Sequence, residues 1–343
     1  MKTRIFINGF GRIGRAVSRI LYHRTKSGIS LAGINETAMT ADNLVYLHNY
    51  CSTYGPARVR AARAPGGIRL GSERVPVFSC RRLCELPWKK MNIDILVEAT
   101  GSLENLKACR KLVQQRLIRK VIVTHSPDSG VDATLIPGVN EKSYQRSRHD
   151  VVSASICDAN AVAHVLAALH HTFGIEKGAV TTLHPWLSYQ NLLDGPVRNL
   201  SQPAGFLQNF SLGRASLSNL ILKQTSAVEA VNKVIPALRG RLLGISYRVP
   251  TSIVTTADLN LFLRQPVTEK KLKHFLKSLT SRNPYVGWSE EPLVSGDFQG
   301  REESVVVDGR WIQVLGDRLA KINVWYDNEW GYAARVLDLV KIL

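Results

Sequence analysis

At 343 residues, 45% of them hydrophobic and 21% charged, the chain has room for two domains with separate cores and the composition of a soluble globular protein. No apolar run approaches the ~20 residues of a membrane-spanning helix, and glycines and arginines interrupt the opening MKTRIFINGFGRIGR too early for a secretory core. A cytoplasmic protein with no membrane partner is therefore expected. The formal charge of +18 attracts anions. It leaves open a nucleic-acid or acidic partner, although the cluster Arg58, Arg60, Arg63, Arg69 and Arg74 lacks regularly interleaved aromatics and reads first as a solvated basic face. Five scattered cysteines (Cys51, Cys80, Cys84, Cys109, Cys157) form neither a disulfide framework nor a zinc motif, so no metal is expected.

In chain order, Arg4 to Ile7 reads as a short buried strand, and Ile13, Val17, Ile20 and Leu21 then recur at helical spacing. Ile29 to Ile34 completes a βαβ unit. Apolar runs at Ile93 to Val97 and Val121 to Thr124, flanking a helical stretch near Leu106 to Leu117, extend a parallel sheet. After about Val152 the pattern changes. Cys157 opens a helix with Ala161, Val162, Val165, Leu166 and Leu169 on one face, ending before Gly174. Tyr247 to Leu263 reads as strand, and Ser304 to Val307 is expected to meet Trp311 to Leu315 in a hairpin across Asp308 and Gly309. Between them Ser188 to Gly213 is a long polar loop of the kind that serves a site or an interface. The fold class is α/β: a doubly wound parallel sheet, then an α+β domain with a mixed or antiparallel sheet.

Gly9, Gly11 and Gly14 form G-x-G-x-x-G between the first strand and the first helix. The first glycine allows the tight turn, the second lets backbone approach a pyrophosphate, and the third packs helix on strand, while the helix N-terminus attracts negative charge. Glu36 ends the second strand 22 residues after Gly14, where a carboxylate accepts from ribose hydroxyls and repels a 2′-phosphate. NAD is favoured over NADP, with Arg12 able to soften that repulsion.

The blocks INGFGRIGR (7–15), Ile34-Asn35-Glu36, Glu98-Ala99-Thr100-Gly101, 153–160, Thr181-Thr182-Leu183-His184, Lys233-Val234-Ile235-Pro236, Arg248-Val249-Pro250-Thr251 and WYDNEWGY (325–332) resemble, in order, the glyceraldehyde-3-phosphate dehydrogenase family and its close erythrose-4-phosphate dehydrogenase branch. The resemblance implies a Rossmann-type NAD-binding domain over 1–156, completed by a C-terminal helix at 327–343, and a catalytic domain over 157–326. It implies Cys157 as nucleophile toward an aldehyde and His184 as base, through a thiohemiacetal and a thioester. Gly9, Gly11, Arg12, Ile13, Gly14, Glu36, Thr100, Gly101, Thr124, Asn328 and Tyr332 would contact the cofactor, and a homotetramer is implied. Independently, a thiol at a helix N-terminus beside an imidazole has its thiolate favoured.

The anion-binding positions depart from the family pattern. Ile156 and Asp158 flank the cysteine where the family has a serine and a threonine, Leu187 and Tyr189 replace threonines after the histidine, and Leu212 replaces an arginine. Cys51 stands in an aspartate's place. Of the substrate-binding set, Thr225 and Arg248 match, while Asp158 brings a negative charge that raises the thiol pKa or caps the helix. Three readings follow: an NAD-dependent dehydrogenase of an anionic aldehyde with an acyl acceptor other than phosphate; a phosphorylating sugar-phosphate dehydrogenase with rearranged anion ligands; or a silent relative that binds nucleic acid or an acidic partner.

Overall fold

A computed structural model describes residues 2–24, 27–197 and 210–343. Two compact units emerge: Met1–Pro137, Glu141–Ser155 and Ala333–Leu343 form the first, and Gly138–Asn140 with Ile156–Tyr332 the second. The final helix spans Trp330–Ile342, and its residues from Ala333 onward belong to the first unit.

The first unit is built on a nine-stranded sheet. Its centre is the Thr3–Asn8 strand, paired in parallel with Ile29–Asn35 on one side and Ile93–Glu98 on the other. Ile118–Val123, Val151–Ser153 and Ala133–Thr134 extend one edge in parallel. Such strands are covered on both faces, which is why Ile5, Phe6 and Ile7 are consecutive apolar residues with no exposed surface. On the other edge Glu73–Phe78 joins in parallel, and Gly67–Leu70 and Ala61–Ala64 add an antiparallel ribbon. The arginine cluster thus lies largely on and beside this ribbon, a folded edge the composition did not foretell. Helix Arg12–His23 links the first two strands, and Leu103–Gln114, capped by the Ser102 hydroxyl, links the next pair.

The second unit centres on an eight-stranded mixed sheet. Strand Ile175–Pro185 pairs in parallel with Leu242–Val249 and antiparallel with Thr255–Leu263, which in turn pairs antiparallel with Leu319–Tyr326. The Thr255–Leu263 strand buries alternate residues (Thr255, Ala257, Leu259, Leu261, Leu263), the period-two signature of a sheet covered on one face. Helix Cys157–Phe173 is buried along most of its length and ends at Gly174, whose φ of +69° favours glycine.

Two expectations are corrected here. The run Tyr247 to Leu263 is two strands, Leu242–Val249 and Thr255–Leu263, separated in the sheet by Ile175–Pro185. Pro250 has no amide hydrogen to continue a ladder, and Val254 turns the chain at φ +72°. Nor do Val305–Asp308 and Gln313–Leu315 pair with each other: both pair with Leu319–Tyr326, at different stretches. Asp308 explains this. Its carboxylate accepts from the Arg310 amide at 3.2 Å, the Arg310 guanidinium at 2.7 Å and Trp325 Nε1 at 3.1 Å, which winds Gly309–Trp311 into a 3-10 turn in place of a hairpin loop.

Candidate active site

The glycine turn of the first unit is fixed by contact. A β-carbon on Gly14 would lie 2.1 Å from the Gly9 carbonyl oxygen, and one on Gly9, at φ +91°, would lie within 2.9 Å of Thr100. Gly11 differs, because no described atom comes within 4 Å of where its β-carbon would be. The helix beginning at Arg12 has no capping side chain and no acid in its first turn. Open space before uncapped amides fits an anionic diphosphate, as NAD carries. Glu36, nearly buried, accepts from the Phe10 amide with one oxygen and from the Ala38 amide with the other, both at 2.7 Å. Its carboxylate therefore braces the glycine turn and keeps one lone pair per oxygen for a ribose hydroxyl. Arg12 reaches Thr53 at 3.1 Å, and Ile13 is half-buried.

Nearby in this unit, Glu98 is fully buried and accepts from Asn8 and from the amide and hydroxyl of Thr100. Burial raises its pKa against those donors. Thr124 donates its amide and hydroxyl to the Glu98 carbonyl, and Gly101 turns at φ +73°. The side chains of Thr100 and Thr124 are thus engaged with the Glu98 segment.

In the second unit, strand and helix bring the chemistry-bearing residues together. Cys157 is the first residue of its helix, and His184 sits near the end of Ile175–Pro185. His184 Nε2 lies 3.7 Å from Cys157 Sγ. Its Nδ1 faces the Pro185 carbonyl at 2.8 Å, and since a carbonyl only accepts, Nδ1 carries the proton and Nε2 presents its lone pair to the sulfur. Asp158 Oδ1 lies 3.5 Å from the sulfur and 3.9 Å from Nε2, and is held by the Tyr326 hydroxyl at 2.8 Å.

Electrostatics here sets two expected effects on the thiol against each other. The Cys157 thiol is pushed well above its ordinary range, first by desolvation and then by the Asp158 carboxylate, against a smaller opposing effect of Arg248. Desolvation and the carboxylate both oppose the thiolate that the helix terminus and the imidazole favour. Burial holds His184 down to about 4, with Asp158 raising and Arg248 lowering it, so the imidazole is neutral near pH 7. The resting pair is a thiol beside a neutral base.

Arg248 is in register with His184 on the adjoining strand. The residue is 6% exposed, and Nε and Nη1 are buried with no hydrogen-bond partner among the described residues. Since a buried unpaired cation is costly, the arrangement calls for an anion. Lys223, absent from the sequence reading, joins this group: burial and then the Arg248 charge lower its pKa, while Asp158 and Cys157 raise it. Its signal was the pairing of Ile221–Lys223 with Leu242–Val249, which no local pattern reveals. Tyr326, the anchor of Asp158, was equally unforeseen.

Thr225 engages locally, accepting from the Ala227 amide at 3.0 Å at the start of the next helix. Asn328 is 5% exposed with its Oδ1 buried and unpartnered among the described residues. Tyr332 is buried in the second unit, its hydroxyl pushed up by desolvation and then by the Cys157 charge. Tyr189 packs on a small cluster of Val197, Leu212 and Ile221, so Leu212 is a core residue. Much of the Ser188 to Gly213 loop, 198–209, lies outside the described residues.

Residues 156–328 match the C-terminal domain of glyceraldehyde 3-phosphate dehydrogenase, and residues 3–106 match its NAD binding domain. The chain belongs to the glyceraldehyde-3-phosphate dehydrogenase family. Among its relatives, glyceraldehyde-3-phosphate dehydrogenase 2 of Nostoc sp. is 35% identical over 99% of this chain and 98% of its own length. The testis-specific glyceraldehyde-3-phosphate dehydrogenase of Bos taurus is 34% identical over 98% of this chain and 82% of its own length. The cytosolic glyceraldehyde-3-phosphate dehydrogenase 3 of Oryza sativa is 33% identical, covering 99% and 98%. As a member of this family the chain is an NAD-dependent dehydrogenase with a Rossmann-like first unit and a small-molecule substrate. No helix among the described residues is long and apolar enough to cross a membrane.

Proposed function

We propose that the chain oxidises an anionic aldehyde by way of a Cys157 thiohemiacetal and thioester, and that the acyl group passes to an acceptor other than phosphate. The observation that carries this reading is the buried Arg248 guanidinium in register with His184, whose Nε and Nη1 have no hydrogen-bond partner among the described residues, with Lys223 close by. Two cations beside a nucleophile suit a substrate that bears a negative group. As Cys157 Sγ attacks the carbonyl carbon, its proton passes to His184 Nε2 and from there to the carbonyl oxygen, which gives the thiohemiacetal and returns the imidazole to its neutral form. His184 then accepts the hydroxyl proton as the carbonyl re-forms. The glycine turn and Glu36 would hold NAD, which would supply the hydride acceptor for this oxidation.

Asp158 argues for the altered acceptor. Its carboxylate, 3.5 Å from the sulfur, repels a phosphate dianion approaching the thioester, whereas a neutral acceptor such as water meets no such barrier. The runner-up, phosphorolysis, rests on the names of the relatives. NADH formation from a panel of anionic and neutral aldehydes, with and without phosphate, separates the two: the proposal expects preference for anionic substrates and turnover without phosphate. Strict phosphate dependence overturns the acceptor assignment, and equal turnover of uncharged analogues overturns the role of Arg248.

The same reading includes a cytoplasmic homotetramer, supported by the cytosolic Oryza relative and by apolar side chains left exposed on the second unit, among them Leu193, Leu217, Leu220, Leu222 and Leu243.

A further inference from the structure

We infer that Cys157, Asp158 and His184 form a binding site for one zinc ion, whose occupancy reversibly shuts off the nucleophile. The three side chains bring one sulfur, one carboxylate oxygen and one imidazole nitrogen within 4.8 Å of one another. Their separations are 3.5 Å from sulfur to oxygen, 3.7 Å from sulfur to nitrogen and 3.9 Å from nitrogen to oxygen. A tetrahedral zinc with bonds of about 2.0 to 2.3 Å separates its ligands by about 3.3 to 3.5 Å. Closing the site therefore needs movements of well under an ångström.

The surroundings already resemble those of a metal centre. The Pro185 carbonyl accepts from His184 Nδ1, which fixes the tautomer that offers Nε2 as a ligand. Tyr326 anchors the carboxylate through the oxygen that faces the sulfur. Asp158 and His184 are buried, but Cys157 keeps partial exposure, which gives an ion access from solvent. A thiolate, a carboxylate and a neutral imidazole together balance the two positive charges of zinc. This mixed donor set favours zinc over magnesium or calcium, which require oxygen ligands. On binding, the S–H bond breaks, its proton goes to solvent, and sulfur bonds to the metal. The thiol then cannot add to a carbonyl, and the His184 lone pair is engaged. No turnover by Cys157 is needed for the site to exist.

The test uses the reduced full chain with cobalt(II) as optical probe and zinc as competitor. One equivalent of cobalt should produce a near-ultraviolet thiolate-to-cobalt band that zinc bleaches. The band should be lost in Cys157→Ser, which keeps the other four cysteines, and zinc affinity should fall about 10- to 100-fold in Tyr326→Phe and at least as far in Asp158→Asn. A measurement free of variants accompanies it: peptide-resolved alkylation of Cys157 should slow at least about tenfold with zinc, recover with EDTA and ignore magnesium. A band that persists in Cys157→Ser, zinc affinity unchanged in Asp158→Asn, or Cys157 alkylation indifferent to zinc overturns the inference.

Discussion

Replacing Asp158 with asparagine should make Cys157 more reactive. The carboxylate oxygen lies 3.5 Å from the sulfur, so two unit charges there repel by about 1 kcal/mol in a water-like dielectric and by about 5 kcal/mol at an effective dielectric of about 20. The smaller value alone is worth close to a factor of ten in thiolate population at fixed pH. Burial adds the larger part of the upward shift and is unchanged by the substitution. In Asp158→Asn, therefore, iodoacetamide should alkylate Cys157 about tenfold faster at pH 7.5, measured peptide by peptide in EDTA, with the pH–rate curve displaced toward acid. In the unmodified chain the rate should keep climbing through pH 9 without a plateau, because the thiol titrates above its ordinary range. A variant that reacts at the original rate, or more slowly, would show that the carboxylate does not govern the thiol.

Two further outcomes follow from the first unit. Gly14→Ala should lower the melting temperature by an amount equivalent to about 1 to 3 kcal/mol, since the new methyl meets the Gly9 carbonyl, whereas Gly11→Ala should melt normally yet bind NAD more weakly in calorimetry. Equal effects from both would remove the steric distinction between the glycines. His48, fully buried, has its pKa lowered by desolvation to about 4, below the ~6.5 of an unfolded histidine. The folded state thus binds fewer protons between those values, and stability present above pH 6.5 is lost as the pH falls toward 4. At pH 5 this single group should cost about 2 kcal/mol in urea unfolding relative to pH 7.5, and His48→Gln should flatten that part of the profile.

What the sequence disclosed depended on how local the physics was. Gly9 and Gly14 were legible because a tight turn and a helix–strand contact each demand glycine within a few residues of chain. The Cys157 helix was legible from its apolar spacing, and Asp158 at once suggested an opposing charge. The hairpin across Asp308-Gly309 was misread because turn residues do not reveal that the aspartate is engaged by Arg310 and by Trp325 on a neighbouring strand. Lys223 and Tyr326 escaped for the same reason. Their place near Asp158 is set by strand neighbours and by burial, which join residues distant in the chain.

The most direct trial of the central claim is a rapid-quench reaction of the chain with NAD and an anionic aldehyde, followed by mass spectrometry of the Cys157 peptide. An acyl mass should appear on Cys157 with the first equivalent of NADH and accumulate far more slowly in His184→Ala. NADH production with that peptide unmodified, or sustained turnover by Cys157→Ser, would contradict it.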